Sequence, residues 1–518
     1  MFWVMKKLFG ILLLLIIAVL IYARSNLRDR HPGYKADLTV SSGNPMPLKA
    51  GFSAVKITPD VPDRWTDVNG DAIYKKKDGD NYTDVNGNGK FDPLWIAGFS
   101  NAKPANGIHD DLWARTMILD DGKTRLSITV LDVIGLPLDH VIDIRKMIPP
   151  EAGITYAIIS STHTHEGPDL LGLWGKTPFR SGINKKYLEF VKQQTLRSIV
   201  EAGSSLKPVR LEISEDLNGA AHLVKDTRLP EVFDSGLRML KAVDKETGKT
   251  CGTLAVWGNH PESLWNKNLL ISSDFCHFAR QGVEKGIYLP DSIIIEGTGG
   301  IALFAVGAVG GLMTPHPSLA IKDPCTDSVF TKPSFDKTEA LGKQLSLLIL
   351  KAMEKPAVAI DSASISLAVK TIILPIKNKL FRLAASIGIL DRGTLGWMKT
   401  RTELAFIQLG PLSMLTLPGE IYPELVNGGV DAPKGGDFSL PSQEIPPLRD
   451  LMPGKFKFVI GMANDEIGYI IPKSQWDVKP PYAYKREKPQ YGEENSLGPE
   501  TAPLLYGHFK ELLKESGK

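Results

Sequence analysis

Two histidines, His163 and His165, stand one residue apart at the end of a strand-like apolar run in residues 159–169 (ISSTHTHEGPD). On an extended backbone, side chains two residues apart point to the same side, and strand ends face the clefts in which open sheets bind ligands. Two imidazoles on one face, with hydroxyl groups beside them, suit a divalent metal such as zinc. The motif therefore predicts a metal site. A pair of histidines hydrogen-bonded in a polar loop is the alternative that it leaves open.

Four other polar side chains stand at the ends of apolar runs elsewhere in the chain. His109 lies in GIHDDLWAR, beside two carboxylates of the kind that orient an imidazole. His260 lies in WGNHPESLW, Glu420 in LTLPGEIYPEL and Tyr469 in ANDEIGYIIP. Each of these residues on its own is more often structural than catalytic, so only their combination indicates a function.

In order and spacing, the combined motifs resemble the neutral/alkaline, non-lysosomal ceramidase family of zinc amidohydrolases. The stretches that carry the resemblance are GIHDDLWAR, SSTHTHEGP, NHPESLWNKNLLISSD, FAVGAVGGLMTP, LPGEIYPE and NDEIGYIIP. The resemblance implies a zinc ion with the ligands His109, His165, Glu420 and Tyr469. It also implies that His163 is a polar catalytic group near the substrate and that His260 is a substrate-binding residue.

The same resemblance implies an enzyme that hydrolyses a C–N amide bond, with a ceramide-like N-acyl lipid as the favoured substrate. The attacking group is a metal-activated water or a side-chain hydroxyl. A phenol such as Tyr469 is suited to ligate the metal or to donate to the oxyanion. Two alternatives stay open: a zinc hydrolase of another small amide or ester, and a non-catalytic protein that binds a lipid or envelope ligand.

The glycine-rich loop GAVGGLMTPH departs from the family pattern, in which a serine follows a Gly-Asp pair. Here Leu312 stands at the acidic position and Thr314 at the serine. Threonine keeps the hydroxyl but its β-branch restricts χ1, so Thr314 is the candidate nucleophile, with water alone as the alternative. Gly310 and Gly311 are candidate substrate-binding residues because glycine lets a ligand approach the backbone. Close packing of strand and helix would require the same glycines.

A second metal is predicted in the long polar loop before the first histidine motif. The ligand candidates, spaced as in the first nine positions of an EF-hand loop, are Asp84, Asn86, Asn88 and Asp92. Trp95 occupies the position of the usual bidentate glutamate, so a calcium ion here would need other ligands. A solvated turn is the alternative, since Asn-Gly and Asp-Gly form turns without an ion.

The N-terminus predicts attachment to a membrane or export. Lys6 and Lys7 precede an apolar run at residues 8–22, which is typical of a signal anchor or a cleaved signal peptide. We expect a membrane-anchored or secreted protein whose catalytic domain is extracytoplasmic. The net charge of +3 gives no broad electrostatic case for binding nucleic acid.

Strand-like and helix-like segments alternate along the chain and predict an α/β fold, with a mixed β-sheet core and helices packed around it. The predicted strands are residues 126–133, 155–160, 209–214, 253–258, 292–296, 365–373, 404–409, 412–417 and 456–462. The predicted helices are residues 185–201, 274–286, 339–355 and 501–515, with an amphipathic segment at 376–399. We expect an anchor at 1–24, a tether at 25–49 and one ceramidase-like catalytic domain at 50–518, without the C-terminal immunoglobulin-like domain common in the family.

Overall fold

The structure is a computed structural model that describes residues 2–41, 43–290 and 293–517. Its helices are α1 (Phe2–Asn26), α2 (Leu138–Met147), α3 (Lys185–Ser204), α4 (Phe275–Lys285), α5 (Phe335–Met353), α6 (Lys379–Ser386), α7 (Pro423–Asn427), α8 (Leu448–Leu451), α9 (Tyr491–Glu494) and α10 (Thr501–Glu515). Several begin at a side chain that caps free backbone N–H groups. Asn184 accepts hydrogen bonds from two N–H groups at the start of α3, and Ser334 accepts one at the start of α5.

The strands, in chain order, form two larger sheets and several short ribbons. They are β1 (Leu38–Ser41), β2 (Met46–Pro47), β3 (Lys49–Lys56), β4 (Arg64–Thr66), β5 (Asn81–Thr83), β6 (Trp113–Asp120), β7 (Arg125–Leu131), β8 (Tyr156–Ser161), β9 (Lys207–Asp216), β10 (Lys225–Asp226), β11 (Leu237–Asp244), β12 (Thr250–Trp257), β13 (Gly286–Tyr288), β14 (Ile294–Glu296), β15 (Ile301–Val306), β16 (Met313–Thr314), β17 (Ile321–Lys322), β18 (Val329–Phe330), β19 (Val358–Ile360), β20 (Ser362–Ala363), β21 (Ile365–Pro375), β22 (Lys399–Leu409), β23 (Leu412–Thr416), β24 (Glu420–Ile421), β25 (Phe456–Ile460) and β26 (Tyr469–Ile470).

The first sheet has the strand order β15-β12-β11-β9-β3-β6-β7-β8, with β19 also pairing with β9. Both ends of this order are parallel pairs, β12 with β15 and β7 with β8, whereas the pairs between them are antiparallel. The second sheet has the order β1-β21-β22-β23-β25, in which only β23 and β25 run parallel. The predicted mixed α/β fold is therefore confirmed.

The two sheets pack face to face, and helices cover their outer faces. Alternate residues of one strand face opposite layers: in β23, Met414 contributes to the core between the sheets, whereas Leu415 packs in the outer layer with α10. Helices α4 and α5 cover one part of the first sheet, and α2 and α3 cover another. Strands buried on both faces explain why the sequence shows apolar runs there rather than strict alternation.

A short segment after β25, residues 461–464, is hydrogen-bonded to β15 and to β8, which lie at the two opposite edges of the first sheet. The N–H of Gly461 donates to the carbonyl of Val306 at the end of β15, at 2.9 Å. The N–H of Ser161, at the end of β8, donates to the carbonyl of Met462 at 3.2 Å, and the N–H of Asn464 donates to Ile159 at 2.6 Å. Residues 461–464 therefore hold the two ends of the curved sheet beside each other, where the predicted site residues emerge.

The predicted elements are recovered with small shifts of their ends, apart from the segments described next. The C-terminal helix has the predicted bounds, and helix α5 begins four residues before its predicted start. The predicted strand at 292–296 begins outside the described residues and is seen as β14. Only Lys379–Ser386 of the amphipathic segment 376–399 is helical, because Gly388 follows at a positive φ of 74° and the chain then turns.

The described residues of the predicted tether, 25–41 and 43–49, are packed on the globular part. Strand β1 pairs with β21 in the second sheet. Two ion pairs also hold the segment, Arg30 to Asp391 at 2.6 Å and Asp29 to Arg401 at 3.0 Å. Helix α1 before it is long and apolar enough to cross a membrane, and none of its described side chains is buried.

The junction at residues 461–464 leaves no room for a side chain at Gly461, where a Cβ would lie 2.5 Å from the carbonyl oxygen of Gly307. We expect Gly461→Ala to lower the free energy of unfolding by ~1–3 kcal/mol, as overpacked cores do. The matched control is Gly507→Ala, since Gly507 lies in α10 with nothing within 4 Å of the new Cβ. Denaturant unfolding of both variants checks this, and a Gly461→Ala protein as stable as the wild type contradicts it.

Candidate metal centre and active site

Three histidines from two strand ends come together in the structure. The ligand atoms of His163, His165 and His260 lie within 4.8 Å of one another. His163 and His165 follow β8, whereas His260 follows β12, and the curvature of the sheet brings these ends together. His163 has a φ of 66°, in the left-handed region that residues other than glycine rarely adopt. Such strained backbone clusters at functional sites.

Backbone carbonyls fix the orientation of two of these rings. Nδ1 of His163 donates to the carbonyl of Ile134 at 2.6 Å, and Nδ1 of His260 donates to the carbonyl of Met313 at 2.7 Å. A carbonyl can only accept, so Nδ1 of each ring carries a proton, and Nε2 is the nitrogen that faces the centre and would bind a metal in its deprotonated form. Metal-binding histidines are oriented in this way in many proteins.

A carboxylate faces both Nε2 atoms. Oε2 of Glu420 lies 3.1 Å from Nε2 of His260 and 3.7 Å from Nε2 of His163. Burial acts to raise the pKa of Glu420, but the two facing histidines outweigh burial and hold this pKa below its ordinary value. Burial acts to lower the pKa of His260, and the hydrogen bond with Glu420 outweighs it and raises the pKa to about 9.

Tyr469 lies next to Glu420 through the pairing of two short strands. Strands β24 and β26 run parallel, with Glu420 opposite Tyr469. Both side chains are buried. Burial first, and then the Glu420 carboxylate, raises the pKa of the Tyr469 phenol well above its ordinary value. The register of this ribbon therefore places an acid oxygen and a phenol side by side.

His165, predicted as a zinc ligand, belongs to the same group of three histidines. Its Nε2 lies 3.4 Å from Nε2 of His163, and its Nδ1 lies 3.2 Å from Oε2 of Glu262. Burial, and then the neighbouring His163 and His260, lowers its pKa well below the ordinary value. The ring has room only because residue 98 is a glycine with a φ of +113°, where a Cβ would lie 2.6 Å from the His165 Cβ.

The donor set of this centre fits a zinc ion. The Nε2 atoms of His163 and His260 face a carboxylate oxygen of Glu420, and Tyr469 is paired with Glu420 in the neighbouring strand. Zinc binds nitrogen and oxygen ligands of these types in catalytic sites. The buried His165 adds a further nitrogen at the edge of the centre.

His109, predicted as a zinc ligand, lies apart from the three converging histidines in the structure. The His109 ring stacks on the ring of Phe335 with centroids 3.6 Å apart, and its Nδ1 is hydrogen-bonded to Asp110 at 2.9 Å. One third of the side chain is exposed. Among the described residues, His109 does not belong to the group of histidines that converge. The stacking partner comes from α5 and holds the ring in a separate environment, and His163 and His260 face Glu420 instead.

The glycine-rich loop lies behind the centre. Thr314 is buried beside the Glu262 carboxylate, but its hydroxyl has no hydrogen bond of standard geometry within the described residues. A Cβ on Gly310 would lie 2.2 Å from the backbone oxygen of Glu420, and a Cβ on Gly311 would lie 2.9 Å from the Arg228 guanidinium. The two glycines therefore serve close packing that positions Glu420, and they are not among the residues that line the adjacent cavity.

An apolar cavity opens next to the centre. His163, His165, Glu420 and Tyr469 lie in its wall, and most of the rest of the wall is apolar, including Ile134, Leu171, Trp174, Phe381, Ala385 and Leu497. Apolar cavities with a few convergent polar groups are the usual form of binding sites for organic ligands. The cavity therefore combines a metal-binding donor set with space for an apolar chain.

Sequence reasoning missed two carboxylates of this region. Glu466 lies in the cavity wall, where its Oε1 accepts from the N–H of Gly468 at 2.8 Å and its Oε2 has no partner within the described residues. Burial first, then Glu420, raises its pKa well above the ordinary value. Glu262 lies beside His165 and Thr314. Both residues lie inside sequence motifs named above, NDEIGYIIP and NHPESLW, and their place in these motifs could have identified them as candidates.

The predicted calcium loop is a turn closed by its own side chains. Oδ1 and Oδ2 of Asp84 accept from the N–H groups of Asn88 and Gly89, at 3.1 and 2.6 Å. Oδ2 of Asp92 accepts from the amides of Asn86 and Asn88, at 3.0 and 2.5 Å. All of these hydrogen bonds are exposed. Calcium binding here stays a prediction.

Comparisons with known proteins agree with this fold. Residues 80–316 match the family model described as neutral/alkaline non-lysosomal ceramidase, N-terminal. A neutral ceramidase of Mycobacterium tuberculosis (strain ATCC 25618 / H37Rv) is 26% identical over 206 residues, which is 35% of this chain and 31% of that protein. The match thus spans about a third of that relative's length.

Two solved structures share the fold. The crystal structure of neutral ceramidase from Pseudomonas aeruginosa has a TM-score of 0.63 at 16% identity, covering 91% of this chain and 75% of that chain. A structure described as a ceramidase complexed with C2 gives the same TM-score of 0.63 and 16% identity over 91% of this chain and 76% of the other. At this level of identity, the likeness supports the fold rather than the activity.

Proposed function

We infer, from the confirmed resemblance of this chain to the neutral/alkaline non-lysosomal ceramidases, that it is a zinc-dependent amidohydrolase of a ceramide-like N-acyl lipid. One observation carries the proposal. His163 and His260, both oriented by backbone carbonyls, face Glu420 at the wall of an apolar cavity. This arrangement joins a donor set for a Lewis acid to a binding site for a hydrocarbon chain.

The proposed ligands are His163, His260, Glu420 and Tyr469. A zinc ion held by them supplies Lewis acidity and lowers the pKa of water. The carbonyls of Ile134 and Met313 keep Nδ1 of the two histidines protonated, so Nε2 stays available as a donor to the metal. Tyr469 is a phenol with a raised pKa, so it is protonated at neutral pH and able to donate to an oxyanion at an amide carbonyl.

The cavity supports a lipid amide as substrate. Its mainly apolar wall suits a hydrocarbon chain, and the wall also contains the proposed ligands Glu420 and Tyr469. We propose that the scissile amide lies at Glu420 and Tyr469 and that the chain extends toward Phe381 and Ala385. Helix α1 supports a membrane-anchored or secreted protein with an extracytoplasmic catalytic domain, and export is consistent with calcium in the loop at Asp84–Asp92.

The ligand set is tested by metal analysis of single variants. We expect His163→Ala, His260→Ala and Glu420→Ala each to lose stoichiometric zinc, because each removes one of the converging donors. The matched control is His109→Ala, since the His109 ring stacks on Phe335 outside the group. Zinc content by atomic emission and turnover are measured on the same samples. Loss of zinc from His109→Ala and Glu420→Ala, with retention in His163→Ala and His260→Ala, would restore the ligand set predicted from the sequence.

The substrate class is tested by a panel of fluorogenic N-acyl amides and matched esters. We expect the wild type to hydrolyse N-acyl sphingoid amides and to prefer long acyl chains, because the cavity wall beside the ligands is mainly apolar. Glu420→Gln, which keeps the size of the side chain, is the inactive control. Turnover of esters or small amides alone would indicate a different zinc hydrolase, and binding without any turnover would indicate a non-catalytic lipid-binding protein.

Thr314 is tested as the source of the attacking hydroxyl. We expect Thr314→Ala to lower kcat by at least ~100-fold, as loss of a group that acts at the reacting centre does. Thr314→Ser keeps the hydroxyl and is the matched control, for which we expect kcat near the wild-type value. Zinc content and the kcat/KM split are followed together. A Thr314→Ala enzyme with unchanged kcat assigns the attack to water alone.

A further inference from the structure

We propose that the outer face of α6 docks on the surface of a lipid bilayer beside α1, so that the apolar cavity is filled from the membrane. The docking follows from the contacts of α1 and α6. Only the passage of substrate across α6 rests on the proposed function.

Helix α1 sets the position of a bilayer relative to the rest of the chain. It has 25 residues, and at ~1.5 Å per residue this length exceeds the ~30 Å hydrocarbon core of a membrane. None of its described side chains is buried in the protein. The C-terminal end of α1 is the point at which the chain would leave the hydrocarbon, so elements attached to that end lie at the membrane surface.

Helix α6 is attached to that end. The Tyr22 hydroxyl donates to the carbonyl of Ile387 at 3.0 Å, and the side-chain amide of Asn26 donates to the carbonyl of Ser386 at 3.0 Å. One residue beyond α1, the Thr394 hydroxyl donates to the carbonyl of Leu27. These bonds hold the C-terminal end of α6 against the last turns of α1.

The two faces of α6 have different surroundings: one is exposed and the other lines the cavity. Leu380 and Leu383, three residues apart on one side of the helix, are 66% and 49% exposed. Phe381 and Ala385 line the cavity instead. Helix α6 therefore forms a thin wall, with the cavity behind it and an uncovered apolar face in front.

The surroundings of the exposed face suit a membrane surface. Lys379 and Arg382 flank Leu380 and Leu383 in the helix, and basic residues beside apolar ones are typical of helices that lie in the lipid headgroup region. Trp397, in the segment after α6, is 79% exposed. Tryptophan is enriched at membrane–water interfaces. The attachment to α1 identifies the bilayer, rather than a protein, as the occupant.

The docking is tested with the full chain reconstituted in phosphatidylcholine–phosphatidylglycerol vesicles. An environment-sensitive nitrobenzoxadiazole (NBD) label is attached to Leu383→Cys, in a background that lacks the partly exposed Cys251 and Cys325. The control is Val329→Cys, because Val329 is 58% exposed on the short strand β18, which pairs with β17. We expect a blue shift of the emission at position 383, and quenching by spin-labelled lipid, with neither effect at position 329.

Two results overturn the docking proposal. If the NBD emission wavelength at position 383 equals that at position 329, the exposed face of α6 is in water. A blue shift without quenching by lipid means that a protein or a second copy of the chain covers it. Both readouts are independent of turnover, so they decide the proposal even if the chain hydrolyses no amide.

The passage of substrate is tested with the double variant Leu380→Glu/Leu383→Glu, which places charges on the exposed face. We expect a several-fold loss of turnover for a long-chain N-acyl amide embedded in vesicles, with unchanged turnover of a water-soluble short-chain amide. Equal loss on both substrates, or loss on neither, refutes the passage across α6. Absence of turnover by the wild type on either substrate refutes the proposed function and the passage, but leaves the label result valid.

Discussion

The hydrogen bonds of residues 461–464 determine where everything else in the site can lie. These residues pair with the end of β15 through Gly461 and with the end of β8 through Met462 and Asn464. A flat sheet with the same strand order would keep those two strands at opposite edges. The strands of the sheet twist, and the junction holds the ends of β8 and β15 beside each other, so the residues after β8 and β12 face the residues after β23 and β25.

Within this frame, the chemistry depends on buried hydrogen bonds from imidazoles to the backbone. The rings of His163 and His260 are held by carbonyls of residues far away in sequence, Ile134 and Met313. Burying two such rings beside Glu420 without satisfied polar atoms would be costly. The backbone supplies the acceptors, which leaves the remaining nitrogen of each ring directed at one carboxylate oxygen. The centre is thus pre-organised before any ligand is present.

Sequence reasoning could find the elements and the residue types, but not the partners of the individual side chains. The alternation of apolar runs predicted the mixed sheet, and the motif at residues 163–165 predicted clustered imidazoles. The separate position of His109 depends on the ring of Phe335, more than two hundred residues away, and the orientation of His260 depends on a carbonyl at residue 313. A tether was expected at residues 25–49 because its polar composition does not reveal that Arg30 pairs with Asp391 or that β1 joins a sheet. Such contacts are long-range and leave no local pattern.

The ion pairs of Asp29 with Arg401 and of Arg30 with Asp391 follow directly after α1. A helix followed by a free linker would let the globular part rotate and rise above a membrane. Here the first residues after the helix are clamped, and further bonds join the helix to the segment after α6. When α1 is inserted, the whole body has a fixed height and tilt, and the protein can explore its surroundings only by lateral diffusion in two dimensions. Encounters with molecules in the same leaflet are then favoured by geometry over encounters with molecules in the bulk solution.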